Sequence, residues 1–277
     1  MSHVRAQGGN VVGFGSADPM FARLRHEAEE VVRREPEISA FIYASILNNS
    51  SLESAVIHRV AARLHHQELP GDIIRQVFAD FAARDPAIGE AFRADIMAVA
   101  DRDPATTRLI EPVLFYKGFH AIQTHRLAHA LLKAGRKDFA YYLQSRASEV
   151  FQCDINPAAR IGKGIFLDHA TGLVVGETCV IEDDVSLLQG VTLGGTGKEH
   201  GDRHPKIRHG ALISAGAKIL GNIEVGHCAR VAAGSVVLHS VPHNSTVAGV
   251  PAKVVGSAGC AEPARTMDQL LAEKLEG

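Results

Sequence analysis

The second half of the chain carries a hydrophobic pattern with a period of six residues. A second set of small or apolar residues, including Ala159, Ala211 and Ala229, stands four positions after the aliphatic ones. A period of six matches neither an α-helix nor a β-strand, so an amphipathic helix or strand is excluded. It predicts short strands joined by tight turns, with three strands in each coil of a prism-shaped solenoid. The aliphatic positions are Ile155, Ile161, Leu167, Val175, Ile181, Leu187, Leu193, Ile207, Ile213, Ile219, Val225, Val231 and Val237.

Two interruptions of this rhythm contain polar residues. The step from Leu167 to Val175 is eight residues, which predicts a bulge of two extra residues at Asp168-His169-Ala170-Thr171-Gly172. The step from Leu193 to Ile207 is fourteen residues, where two repeats need twelve, and residues 194–206 lack strand-forming character. Such a Gly-rich segment predicts an extruded loop. Both interruptions place a histidine beside Asp or Arg, so we expect function there.

The first half of the chain has helix signals instead. Asp18-Pro19, Asp85-Pro86 and Asp103-Pro104 each place an N-cap acid before a proline suited to a first helical turn. Ser50-Ser51-Leu52-Glu53 predicts a capping box. Only eight of the 26 glycines precede residue 150, which separates this half from the repeat.

These patterns predict an α + β chain in which an all-helical N-terminal domain precedes a parallel β-helix. The expected segments are a disordered N-terminus (1–16), the helical domain (17–152), the β-helix (153–256, with its loop at 194–206) and a C-terminal tail (257–277).

Composition narrows the classes of function. The net charge of −2, without a basic stripe, argues against nucleic acid as a partner. No apolar run of membrane-spanning length and no signal-peptide pattern occur, so we expect no membrane association. The four cysteines show no C-x-x-C spacing, and Cys179 and Cys228 fall in or beside the repeat core. A reduced, cytoplasmic location is therefore expected.

The first interruption offers an acid–base pair. Asp154 begins the first coil and His169 lies in the bulge, so the two are expected on consecutive coils. If they touch, the carboxylate would fix the imidazole tautomer and leave the other ring nitrogen to take a proton. The alternative is a solvated polar turn.

The second interruption offers a site for a carboxylate. Arg203 stands beside His204, and a guanidinium fork matches the two oxygens of a carboxylate. The alternative is an ordinary solvated loop. The run Gly194-Gly195-Thr196-Gly197-Lys198 lacks the spacing of a phosphate-binding loop. Zinc stays open as an alternative, although His200 and His204 lie in a Gly-rich segment rather than on a helix.

Several segments together resemble serine O-acetyltransferase, a hexapeptide-repeat acyltransferase, over roughly residues 20 to 256. The bulge at 168–172 combined with the Gly201-Asp202-Arg203-His204-Pro205 loop is more specific than the repeat alone. The other matching segments are Arg102-Asp103-Pro104-Ala105, Lys117-Gly118-Phe119-His120-Ala121, residues 151–159, Gly176-Glu177-Thr178, residues 191–198 and Ala248-Gly249-Val250-Pro251-Ala252.

The resemblance implies a left-handed parallel β-helix and acetyl transfer from acetyl-CoA to the hydroxyl of L-serine, without a metal. It implies that His169 is the general base and Asp154 its partner. The substrate's ammonium and carboxylate would be held by Asp103, Asp168, Arg203 and His204. The acetyl-CoA groove between neighbouring prisms would be lined by Gly195, Ala215 and Ala233.

The resemblance also implies regulation and partners. L-cysteine is the expected inhibitor, and a homotrimer or a dimer of trimers is the expected assembly. O-acetylserine sulfhydrylase binds the family's terminal isoleucine; this chain ends in Lys274-Leu275-Glu276-Gly277, which argues against that complex.

The alternatives are a related enzyme acting on a sugar or homoserine, a zinc enzyme like the gamma-class carbonic anhydrases, and a non-catalytic scaffold. No Ser or Cys nucleophile beside a base is evident, so we expect direct transfer without an acetyl-enzyme.

Overall fold

The structure is a computed structural model that describes residues 18–197 and 200–269. A helical N-terminal part is followed by a parallel β-helix, which confirms the predicted fold class. The expected disordered N-terminus and the end of the tail lie outside the described residues. Within the described ranges, no helix is both long enough and apolar enough to cross a membrane.

Between residues 18 and 152, the structure contains eight α-helices. Two of them begin at predicted caps: the carboxylate of Asp18 accepts from the backbone N–H of Met20 at 3.0 Å, and that of Asp85 accepts from Ala87 at 3.1 Å. The helices are α1 (Pro19–Arg34), α2 (Ser39–Ile42), α3 (Leu52–Leu64), α4 (Gly71–Arg84), α5 (Pro86–Arg102), α6 (Ile110–Leu114), α7 (Lys117–Lys133) and α8 (Lys137–Phe151).

The prediction that Asp103 caps a helix was wrong. Asp103 follows the last residue of α5, and its carboxylate accepts from the N–H of Ala105 and the hydroxyl of Thr106, both at 2.9 Å. The next helix begins only at Ile110. Aspartate before proline also starts a turn, because its side chain can hydrogen-bond to backbone two residues on, and that is the outcome here.

The predicted capping box is also displaced by one residue. Ser51 is the N-cap of α3, and its reciprocal partner is Ser54 rather than Glu53. Glu53 instead forms an ion pair with Arg93 of α5.

The β-helix stacks its strands into three sheets. Sheet A contains β1, β4, β7, β10 and β13; sheet B contains β2, β5, β8 and β11; sheet C contains β3, β6, β9, β12, β14 and β15. All neighbours pair in parallel except β14 and β15. The strands are β1 (Cys153–Ile155), β2 (Arg160–Ile161), β3 (Phe166–Leu167), β4 (Leu173–Val175), β5 (Val180–Ile181), β6 (Ser186–Leu187), β7 (Thr192–Gly194), β8 (Lys206–Ile207), β9 (Leu212–Ile213), β10 (Lys218–Leu220), β11 (Glu224–Val225), β12 (Arg230–Val231), β13 (Val236–Val237), β14 (Ser245–Gly249) and β15 (Ala252–Ser257), followed by the short helix α9 (Pro263–Thr266).

The strand register measures both interruptions. Val174 pairs with Thr192, which gives a regular coil of 18 residues. Cys153 pairs with Leu173, so the first bulge adds the two residues expected. Val180 pairs with Lys206. The second insertion is therefore eight residues added to one repeat, and the interpretation as two repeats plus two was wrong. Leu193 and Ile207 lie on consecutive sheets, because the whole insertion replaces a single turn between sheets A and B.

The outer faces of sheets C and A are covered differently. Sheet C is covered by the chain itself: Phe166 packs against Ala98 and Val99 of α5, and the Ser186 hydroxyl donates to the Ala264 carbonyl of α9 at 2.8 Å. Sheet A keeps apolar surface in solvent, with Val174 37% exposed.

Candidate functional site

The first edge of the prism is the column of turns that lead from sheet C to sheet A. Successive turns stack by backbone hydrogen bonds of 2.8 Å from Gly190 to Thr171, from Gly216 to Gln189 and from Gly234 to Ala215. Gly190, Gly216 and Gly234 have φ near +70°, a region that side-chain-bearing residues rarely adopt. Ala215 and Ala233, which the resemblance places at the cofactor groove, therefore stand in the same column as the turn that carries His169.

His169 lies in the first of these turns. Its φ is +53° and that of Ala170 is +59°, so two consecutive non-glycine residues are left-handed. Such residues persist only where the surroundings hold them, and they concentrate at functional sites. The His169 side chain is 74% exposed, and its Nε2 lies 3.8 Å from Asp168 Oδ1. The imidazole is thus presented to solvent beside a carboxylate.

A groove of about 840 Å³ opens beside this turn, between the end of α5, the start of α7 and α9. Asp103, Lys117, Asp168 and His169 contribute to its lining. Burial raises the pKa of Asp168, and the negative charge of Asp103 raises it further. Because the charge of Asp103 disfavours ionisation of Asp168, a cation bound beside the two carboxylates would be favoured.

Asp154 lies on sheet A, at the centre of β1, where its side chain is half-buried. Its Oδ1 accepts from Gln144 Nε2 of α8 at 2.7 Å. Across the two described ranges, neither a hydrogen bond nor an ion pair joins Asp154 to His169. Gln144 was not predicted as a site residue, since nothing in its local sequence marks it.

The second edge of the prism carries the 194–206 loop from sheet A to sheet B. The Thr178 hydroxyl oxygen accepts from the backbone N–H of Arg203 at 3.0 Å and of His204 at 3.1 Å. The N–H of Thr178 in turn donates to Nδ1 of His204 at 3.2 Å. The ring packs so closely on Gly176 that a Cβ there would lie 2.0 Å from its Cδ2. Gly176 and Thr178 therefore fix the position of the C-terminal end of the loop.

The contacts with Gly176 and Thr178 determine the charge state of His204, which is 7% exposed. Burial lowers the pKa of His204 below its usual 6.5, and the Arg203 guanidinium lowers it further. Because Nδ1 accepts from the Thr178 amide, the proton of the neutral ring is on Nε2. His204 is thus a neutral hydrogen-bond donor.

Arg203 beside it is more accessible. Its guanidinium donates to Glu177 Oε2 at 2.7 Å and to the Gly201 carbonyl at 3.1 Å. A Cβ on Gly195 would lie 3.4 Å from the Arg203 carbonyl oxygen, so Gly195 belongs to this edge as well. Glu177 and Thr178 were not predicted as site residues; the only sequence signal for them was the run Gly176-Glu177-Thr178.

The predicted site residues accordingly form two groups. Asp103, Asp168 and His169 meet in the groove of the first edge. Gly195, Arg203 and His204 lie together at the second edge and do not line that groove. Sheet A, with Asp154, lies between the edges.

The described part of the chain contains no set of side chains that could ligate a metal ion. Over residues 18–197 and 200–269, no group of three or more His, Cys, Asp or Glu side chains could hold an ion.

A helical domain followed by hexapeptide coils, with an exposed imidazole beside stacked turns, defines a hexapeptide-repeat acyltransferase. Residues 20–124 match the family described as "Serine acetyltransferase, N-terminal". A serine acetyltransferase of Salmonella typhimurium is 51% identical over 250 residues, covering 90% of this chain and 92% of that protein. The chain belongs to the serine acetyltransferase family.

Solved structures agree with this membership. Serine acetyltransferase from Brucella abortus in complex with coenzyme A superposes with a TM-score of 0.88 at 64% identity, covering 90% of this chain and 99% of that one. A serine acetyltransferase in complex with cysteine superposes with a TM-score of 0.89 at 49% identity, covering 91% and 98%.

Proposed function

We propose that this protein transfers the acetyl group of acetyl-CoA to the hydroxyl of L-serine, giving O-acetyl-L-serine and CoA, as the first step towards cysteine. The observation that carries the proposal is the groove in which the carboxylates of Asp103 and Asp168 lie together with the exposed imidazole of His169. Relatives of this fold have been solved with coenzyme A and with cysteine, one a form of the cosubstrate and the other a close analogue of serine.

Recognition of serine needs one anionic and one cationic subsite. Asp103 and Asp168 supply the first, because a bound ammonium relieves the repulsion between their carboxylates. Arg203 and His204 supply the second: a guanidinium fork and a neutral N–H donor both suit a carboxylate. Glu177 holds the guanidinium until the substrate carboxylate competes for it.

The separation of these subsites on one chain supports a site shared between chains. In a ring of three parallel prisms, the first edge of one prism faces the second edge of its neighbour. Asp103, Asp168 and His169 of one protomer would then meet Arg203 and His204 of the next. A homotrimer, alone or paired with a second trimer, is thus the functional unit we propose.

The proposed cofactor groove follows from the same packing. Ala215 and Ala233 stack above the turn of His169, and their small side chains leave room for an extended pantetheine arm along the column. Gly195 of the neighbouring protomer would close the opposite side.

The chemistry is direct transfer. His169 takes the proton of the serine hydroxyl as its oxygen attacks the thioester carbonyl; the C–O bond forms, the C–S bond breaks, and the proton passes to the departing CoA thiolate. A positioned base of this kind contributes about 10²- to 10⁴-fold. Burial raises the pKa values of the Cys153 and Cys179 thiols to about 12, which disfavours either as a thiolate nucleophile. Asp154 would orient the imidazole once the site is complete.

L-cysteine fits the same subsites. It presents the ammonium and carboxylate of serine but no hydroxyl, so we propose that it inhibits by occupying the serine site. The helical domain contributes Asp103 to that site, which makes the domain part of the catalytic unit.

The proposal is tested by release of free thiol from acetyl-CoA with L-serine, L-homoserine, a galactoside and no acceptor compared in parallel. Thiol release that requires L-serine and declines with added L-cysteine is expected. Release with the galactoside alone would keep the fold and overturn the proposed acceptor. Comparable rates with homoserine would show that one extra methylene is tolerated, and the assignment would widen to both amino acids.

A further inference from the structure

Two side chains of the helical domain contact the β-helix close to the proposed dyad, which is the acid–base pair of Asp154 and His169. Lys117 is the first residue of α7, and its ammonium donates to the Thr171 hydroxyl and to Gln152 Oε1, the latter at 3.3 Å. Gln144 of α8 donates to Asp154 Oδ1 at 2.7 Å. The helices that carry them, α7 and α8, pack against each other, so one helix pair contacts both Asp154 and the turn that carries His169.

The turn that Lys117 contacts has a strained backbone. His169 and Ala170 both have left-handed backbone, at φ +53° and +59°, a strained conformation for non-glycine residues that persists only where the surroundings impose it. Thr171 directly follows this pair, so a charged hydrogen bond to its hydroxyl restrains the turn from the downstream side.

The upstream side of the turn is restrained by the same helix. A Cβ on Gly118 would lie 2.1 Å from the carbonyl oxygen of Leu167, the residue before Asp168. Only glycine allows α7 to approach β3 this closely. The turn is thus held between two consecutive residues of α7.

Gln144 restrains the other member of the dyad. Asp154 projects from sheet A, and the hydrogen bond from Gln144 engages Oδ1 and leaves Oδ2 available for an imidazole. A carboxylate fixed at one oxygen presents the other in a defined direction, which is what an orienting partner of a general base requires.

We propose that Lys117 and Gln144 are positioning residues for acetyl transfer: from the helical domain, Lys117 holds the turn of His169 and Gln144 holds the carboxylate of Asp154. This inference rests on the proposed function. It makes the docking of the helical domain on the β-helix a determinant of turnover, separate from substrate binding. Lys117 acts through the turn and Gln144 through Asp154, so both should change kcat rather than KM.

The test is the steady-state kinetics of Lys117→Met and Gln144→Leu in the full-length protein. We expect each to lower kcat by about 10- to 100-fold, because displacement of reacting groups by about 1 Å has effects of that size. The KM values for L-serine and acetyl-CoA should stay within about twofold, since ground-state contacts are kept. The matched controls are Lys133→Met, exposed at the far end of α7, and Gln76→Leu, which removes a remote Gln–Asp hydrogen bond to Asp80. Both controls should retain wild-type kcat.

Two further measurements separate positioning from a general loss of structure. In Lys117→Ala, added propylamine should restore part of kcat by supplying the missing ammonium. In a His169→Ala background, Lys117→Met should produce no further loss of residual activity, because the group it positions is already absent.

Unchanged kcat in both single variants, with normal serine-dependent turnover of the wild type, would overturn this inference and leave the proposed function standing. A further loss in the His169→Ala background would show that Lys117 acts elsewhere. Absence of serine-dependent turnover in the wild type would overturn the proposed function and this inference with it.

Discussion

The two edges that flank sheet A show two ways of building polar residues into a hexapeptide coil. The insertion at the first edge is only two residues long. Its strained turn exposes His169, and the helical domain contacts the residues on both sides of that turn. The second edge adds eight residues, and Thr178 fastens the returning end so that His204 is buried and neutral. In the proposed mechanism, the small insertion presents a group for proton transfer and the large one builds a subsite for a charged ligand.

The helical domain also contacts the second edge, where His129 Nδ1 lies 2.8 Å from the Pro157 carbonyl oxygen, but within the described ranges it contributes candidate site residues to the first edge alone. Lys117 and Asp103 reach the groove there, whereas the contacts that seat Arg203 and His204 all come from the β-helix. We therefore expect substitutions of His169 and Lys117 at the first edge to change mainly turnover and those of Arg203 and His204 at the second edge to change mainly serine affinity.

The largest effect is expected from His169→Ala. We expect kcat to fall at least about 100-fold, because the general base is removed. The side chain is 74% exposed, so thermal unfolding and the assembly seen by size-exclusion chromatography should match wild type. Turnover near the wild-type rate would end the assignment of the first edge as the catalytic one.

Removal of the Arg203 guanidinium should act on binding. We expect Arg203→Ala to raise the KM for L-serine about 10- to 100-fold, the size of a lost charged hydrogen bond, with a smaller change in the KM for acetyl-CoA. The matched control is Arg75→Ala, an exposed arginine paired with Asp72. A changed kcat with an unchanged KM would contradict the division between the edges.

Co-expression of His169→Ala with Arg203→Ala tests whether the first edge of one protomer meets the second edge of another. If a site combines His169 of one protomer with Arg203 of the next, each mixed trimer contains one intact site. With L-serine well below the wild-type KM, where each variant alone has little activity, random assembly of equal amounts should then restore about a quarter of wild-type activity. The outcome expected if both groups come from one chain is no restoration at all.

A smaller effect is expected from Gly176→Ala. The new Cβ would overlap the His204 ring, so the ring must move away from the Thr178 amide. We expect a rise of about tenfold in the KM for L-serine, in line with the loss of one or two hydrogen bonds. Gly256→Ala is the control, because a Cβ at Gly256 meets nothing within 4 Å. Equal kinetics in the two variants would show that the position of the ring does not matter.

The smallest effect concerns pH. The pKa of His204 is lowered in the folded protein, so its burial contributes stability that is fully present above about pH 6.5 and is lost as pH falls through the lower folded value. Between pH 7 and 5, the unfolding free energy of wild type should decrease more than that of His204→Gln. The difference in slope is at most about 1.4 kcal/mol per pH unit. Parallel slopes in denaturant unfolding would contradict the buried, neutral state.

The sequence by itself determined the β-helix and the location of its polar sites. A period of six fixes which residue points inward, since each strand is too short to tolerate another register, and so Ile213, Ile219 and Val231 are fully buried as expected. The bulge at 168–172 and the 194–206 loop were visible as breaks in that period. Asp18 and Asp85 were recognisable as caps, because capping depends on neighbours two or three residues away.

Only the tertiary structure decided which polar residues come together. Asp103 was indistinguishable from a helix cap in sequence, and it reaches the groove because α5 ends beside β3. The contact of Gln144 with Asp154 and that of Lys117 with Thr171 depend on how α7 and α8 dock against the first coil. Periodicity reports which face of an element is buried; the distance between side chains on different elements is set by packing, and there the sequence pattern carries no information.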